Sequence, residues 1–143
     1  MLRIFFISRF LFLSIMLCLT FTNITSMAQS KENTAVHKAN GIWADSNSAA
    51  FTNGYAIISV DAHGKLALTH YVEFNGTPMV EKGIGFCTHN TLSYDAFVTK
   101  AIPGWSTKGQ HVLTLSEDGN TLRGYYKDSK GNTGALVFKR LYK

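Results

Sequence analysis

The sequence predicts an all-β protein, a single antiparallel up-and-down barrel of eight strands. Three observations predict it. After residue 40 no stretch holds a helical 3.6-residue apolar period for ten residues. Short runs of alternating or β-branched and aromatic residues are separated by turn chemistry instead. Their connections are too short to hold crossover helices, so a parallel sheet is excluded. Eight sequential antiparallel strands leave two edges bare, and closing the sheet removes both. The alternative is a two-sheet β-sandwich, whose Greek-key crossings usually need longer connections than these.

The amino terminus precedes the fold. "MLRIFFISRF" carries Arg3 and Arg9, the apolar run "LFLSIMLCLTF" follows, and Ser26 and Ala28 occupy the small-residue positions of a cleavage site. Residues 1–28 are therefore read as a signal peptide, and the apolar run is shorter than the roughly 20 residues a membrane span requires. Met16 and Leu17 before Cys18 are not the small residues that precede a lipid-modified cysteine. The expectation is a periplasmic or secreted chain with no stable membrane anchor after cleavage. Residues 29–40, "QSKENTAVHKAN", are polar and read as a flexible leader, which leaves 41–143 as the barrel domain.

Each strand is marked off by its turns. "GIWAD" (41–45) is the first, and a small polar connector, "SNSAAFTN", leads to "GYAIISV" (54–60). "DAHG" turns the chain into "KLALTHYVEF" (65–74). Asn75-Gly76, a two-residue hairpin signal, joins it to "TPMVEKGIGFC" (77–87). "TLSYDAFVT" (91–99) follows, then a longer loop, "KAIPGWSTKG" (100–109). "QHVLTLS" (110–116), "TLRGYYK" (121–127) and "GALVFKRLY" (134–142) complete the set across the turns "EDGN" and "DSKGN".

Period-two alternation assigns faces. The apolar face collects Leu66, Leu68, His70, Val72 and Phe74; Val80, Lys82, Ile84 and Phe86; Leu92, Tyr94, Ala96 and Val98; His111, Leu113 and Leu115; and Leu122, Gly124 and Tyr126. The final strand leaves the choice open between Leu136, Phe138 and Arg140 and the opposite set. His70, Lys82, Tyr94, His111 and Tyr126 are thus polar members of an apolar interior, the usual make-up of a small-molecule site. A buried lysine without a partner is expensive, so Lys82 must reach the barrel mouth or meet something polar.

The opening stretch resembles the lipocalin and wider calycin pattern. Gly41-Ile42-Trp43 stands on the first strand and Arg140 in "VFKRLY" on the last. In that family the tryptophan plugs one end of the barrel under an arginine from the closing strand. The resemblance therefore implies a structural contact between Trp43 and Arg140, of cation–π type. The strands are short, the helix before the last stretch is absent, and no TDY-like second motif is evident. The resemblance is to a compact bacterial lipocalin-like domain.

Composition narrows the functions further. The formal net charge of +5 falls to +3 without Arg3 and Arg9, and the remaining basic residues are scattered, which disfavours nucleic-acid binding. Cys87 is the one cysteine after Cys18 departs, so an intramolecular disulfide is excluded. It reads as a small buried hydrophobe, with an intermolecular disulfide or a nucleophile paired to His89 as the sharper alternatives. No Gly-x-Ser-x-Gly elbow is present, and His37, His63, His70, His89 and His111 show no paired metal-ligand spacing. No catalytic residue, metal or cofactor is therefore assigned, although His70 and His111 with Tyr94 or Tyr126 are of a type that does acid–base work. The leading expectation is an exported, non-enzymatic protein that holds a small, mostly apolar ligand inside the barrel. The alternative is an interaction module, an inhibitor or immunity protein of an exported enzyme. It would act through the 100–109 loop, where Trp105 is flanked by Lys100 and Lys108.

Overall fold

A computed structural model describes residues 37–47, 51–100 and 102–142. The expected signal peptide and residues 29–36 of the expected leader lie outside them. The described residues form eight strands and no helix: β1 (Gly41–Asp45), β2 (Phe51–Val60), β3 (Lys65–Phe74), β4 (Thr77–Thr88), β5 (Thr91–Val98), β6 (Lys108–Leu115), β7 (Thr121–Asp128) and β8 (Thr133–Arg140). They pair in sequence order, each antiparallel to the next, and β8 returns to β1 to close the barrel. A sandwich is excluded.

Turn chemistry explains the boundaries. Asn75 and Gly76 both take positive φ, 48° and 76°, as a tight hairpin following the right-handed twist of its strands requires. An aspartate organises each of two other turns in the same way. Asp61 Oδ1 accepts from the amides of His63 and Lys65, and Asp128 Oδ1 from those of Lys130 and Asn132. Strand β2 starts three residues earlier than the sequence implies. Asn53 takes positive φ (50°) in a bulge that shifts the β2–β3 register and masks the alternation of Phe51–Asn53.

The seam is the shortest pairing. Trp43 opposes Arg140, Ala44 opposes Lys139, and Asp45 opposes Phe138. Backbone bonds from Ser46 N to Val137 O (2.9 Å) and Leu141 N to Ile42 O (3.0 Å) flank them. Arg140 adds what so short a ladder lacks. Its guanidinium carbon stands 4.2 Å from the Trp43 ring centroid. Its Nε donates to Gly119 O at 2.8 Å, Nη1 to Asn40 O at 3.0 Å, and Nη2 to Lys38 O. Trp43, fully buried, donates Nε1–H to Ala39 O at 3.0 Å. Residues 37–40, counted with the leader on sequence, form a turn bonded to the barrel, and the Asn40 side chain pairs with both backbone groups of Val60.

The core fills this closed end and the barrel's middle with Trp43, Leu66, Leu92, Leu113, Leu122 and Phe138. Each such side chain contributes about 1.5–3 kcal/mol on burial. Faces follow the alternation on β3, β5, β6 and β7, and β8 resolves with Leu136 and Phe138 inward.

Strand β4 is inverted relative to the expectation. Met79, Glu81, Gly83, Gly85 and Cys87 face inward, while Lys82 is on the outer surface with Ile84 (60 % exposed) and Phe86 (65 %). The cause is Tyr94, whose ring occupies the space a side chain at position 83 would need. A Cβ on Gly83 would meet Tyr94 Cδ2 at 2.6 Å. The larger apolar residues of β4 are therefore turned outward, and Lys82 needs no buried partner.

The Trp43–Arg140 contact is testable by a double-mutant cycle in urea unfolding. Trp43→Ala should cost about 3–5 kcal/mol, and Arg140→Ala about 2–4 kcal/mol through the carbonyls it leaves without donors. Their coupling should be about 0.5–2 kcal/mol. Additive losses would mean that the ring and the guanidinium stabilise the seam independently.

Candidate functional site

At the end of the barrel away from Trp43, the interior opens into a cavity of about 320 Å³. Val72, Met79, Val98, Leu136 and Phe138 form its apolar wall, and Asp45, His70, Glu81, His111 and Tyr126 supply polar groups. The size is at the small end of ligand pockets, and the mixture of a wide apolar lining with few polar groups is typical of them.

Three strands deliver the polar cluster. On β1 the alternation that buries Trp43 also turns Asp45 inward, and Gly54 on the neighbouring strand leaves it space. A Cβ there would lie 2.4 Å from Asp45 Cβ. His70 points in from β3 and Glu81 from β4, directly opposite in register. His70 Nδ1 donates to Glu81 Oε2 at 3.2 Å. Its Nε2 lies 3.1 Å from Asp45 Oδ2, near enough for an ion pair but not aligned as a hydrogen bond. Asp45 Oδ1 is already engaged by the amide and the side chain of Asn47. His70 is only 6 % exposed.

Burial disfavours the charged imidazole, but the carboxylates of Asp45 and Glu81 outweigh it and raise the His70 pKa to about 9. His70 is therefore an imidazolium at neutral pH, with both nitrogens facing carboxylates. His111 behaves oppositely. Burial lowers its pKa, and the positive charge of His70 pushes in the same direction against the pull of Glu81. Its Nδ1 shares a 3.2 Å hydrogen bond with Tyr94 Oη. Burial, followed by the charges of Glu81 and Asp45, raises the Tyr94 pKa and keeps its hydroxyl protonated.

Residues 104–109 cover part of the mouth. Trp105 folds back onto Phe74 and Phe51, with ring centroids 4.6 and 5.6 Å apart. Lys130 Nζ donates to Gly104 O at 2.9 Å, and the hydroxyls of Ser106 and Ser129 are 2.9 Å apart, so the loop is tied to the β7–β8 turn. Lys108 lines the mouth, whereas exposed Lys100 does not.

Of the sequence-derived residues, His70, His111 and Tyr126 line the cavity and Tyr94 lies buried behind His111. Lys82 is outside. Asp45 and Glu81 were not singled out, although each shares an alternating face with an inward neighbour, Trp43 or Met79. The thiol contact also differs. Cys87 Sγ lies 3.4 Å from His37 Nε2, while His89 offers it only a backbone carbonyl at 3.6 Å. Burial raises the Cys87 pKa, which favours the protonated thiol. Among the described residues, no group of His, Cys, Asp or Glu side chains is arranged to hold a metal ion. The chain matches no known family model and no curated protein.

The two histidines set opposite pH limits. A pKa near 9 means His70 stabilises the fold fully below pH 6.5 and loses that contribution as pH rises through 9. His111, with its lowered pKa, contributes above 6.5 and loses its contribution as pH falls. Urea unfolding of the wild type should weaken by roughly 3 kcal/mol between pH 6.5 and 9.5. His70→Gln should be less stable at pH 6.5 by about 3–5 kcal/mol, because it strands two carboxylates, and nearly flat across the window. Equal pH slopes for the two proteins would refute the ion cluster.

Proposed function

We propose that this chain is a compact lipocalin-like binding protein, exported and non-enzymatic, that holds a small and mostly apolar ligand in the open end of its barrel. The observation that carries the proposal is the cavity itself, about 320 Å³ of interior space with an apolar wall and a few convergent polar groups. The Trp43–Arg140 contact at the opposite end supports the lipocalin-like part of the reading.

Trp105 favours this reading over an interaction module acting through the 100–109 loop. It packs over Phe51 and Phe74 at the mouth instead of standing free as an interface anchor. In the binding protein it serves as a partial lid whose loss speeds ligand escape.

The test is native mass spectrometry of the processed protein, followed by titration with N-phenyl-1-naphthylamine, a neutral fluorophore that brightens in apolar surroundings. We expect a co-purifying small molecule, or saturable brightening of the probe, and about tenfold weaker probe binding by Trp105→Ala. The absence of both a carried molecule and any probe response would refute the proposal.

A further inference from the structure

The balance of charge in the cavity names the kind of head group it would accept. We infer that the ligand carries a cationic amine, seated against Glu81 at the inner end of the cavity with its apolar part toward Trp105; this rests on the binding reading above. Two carboxylates, Asp45 and Glu81, face one imidazolium, His70. His111 beside them is biased toward its neutral form by burial and by the charge of His70. Lys108 and Asp128 stand opposed in formal charge at the mouth, so among the lining side chains the carboxylates of Asp45, Glu81 and Asp128 outnumber the cationic groups of His70 and Lys108.

The cluster is also incompletely satisfied. His70, more than nine-tenths buried in the cavity wall, is committed to these two carboxylates, with Nδ1 3.2 Å from Glu81 Oε2 and Nε2 3.1 Å from Asp45 Oδ2. Glu81 uses Oε2 for His70, and its Oε1 has no hydrogen-bond partner among the described residues. Asn47 engages Asp45 Oδ1 and His70 Nε2 stands 3.1 Å from its Oδ2, which leaves Glu81 as the acceptor open to a ligand. A carboxylate in apolar surroundings is costly unless it is paired. An ammonium supplies both the missing charge and the missing donor. A ligand carboxylate would add a third negative charge beside Asp45 and Glu81, and an uncharged alkyl chain would leave Oε1 facing hydrocarbon. The aromatic faces of Phe138 and Tyr126 in the same lining suit a cationic head and an apolar tail together.

Three probes on one skeleton separate these cases: 3-phenylpropylamine, 3-phenylpropanol and 3-phenylpropanoate, titrated calorimetrically at pH 7 into wild type and Glu81→Gln. The amine should bind wild type at least tenfold more tightly than the alcohol, with the carboxylate weakest. Glu81→Gln should erase the amine's advantage and leave the alcohol within about threefold. The wild-type ranking stands alone if the variant fails to fold. An alcohol or carboxylate that binds as tightly as the amine overturns the inference, as does an amine advantage that survives in a folded Glu81→Gln. No binding of the amine by protein that still takes up N-phenyl-1-naphthylamine overturns the inference and leaves the binding reading intact. Silence from all four probes, with no carried molecule, overturns both.

Discussion

Everything in this barrel depends on the pairing of a five-residue strand, β1, with β8. Seven of the eight strand junctions are longer hairpins or loops within the chain order, and each strengthens its neighbours locally. The closing junction joins the two ends of the domain with three residue pairs. Such a ladder is marginal alone. Arg140 reinforces it by reaching three carbonyls, on two separate segments, while lying against the Trp43 ring. The tryptophan in turn fills the end that this arginine covers.

The same strand also prepares the open end. Alternation forces Trp43 and Asp45 to the same side, so the residue that plugs the barrel and the residue that charges its cavity are two positions apart. Closure against β8 holds Asp45 next to Phe138, and the missing side chain at Gly54 lets it reach His70. From β4, Glu81 completes the cluster. Stability and chemistry are therefore coupled through β1. A change that loosens the seam also moves a carboxylate away from the imidazolium that needs it.

The fold was legible because each turn carries its own chemistry. Asn75-Gly76 and the aspartates at 61 and 128 identify their turns without tertiary information, and the strands between them are bounded by subtraction. The site was legible where hydropathy and burial agree, as at His70, His111 and Tyr126. It was not legible on β4, where the faces were assigned by adding up the apolarity of Val80, Ile84 and Phe86. What decides that strand is a residue on another one, since Tyr94 fills the space above Gly83 and a glycine has no hydropathy to reveal it. The bulge at Asn53 hid the start of β2 for a related reason, because an extra residue breaks the period that a sequence reader counts.

The barrel interior holds a buried imidazolium between two carboxylates. The most direct measurement is the nitrogen-15 resonance of the His70 ring followed across pH by nuclear magnetic resonance. We predict that both ring nitrogens are protonated at pH 7.5 and that the ring titrates at about 9. A His70 ring already neutral at pH 7.5, titrating at or below 6.5 like an ordinary histidine, would contradict the account.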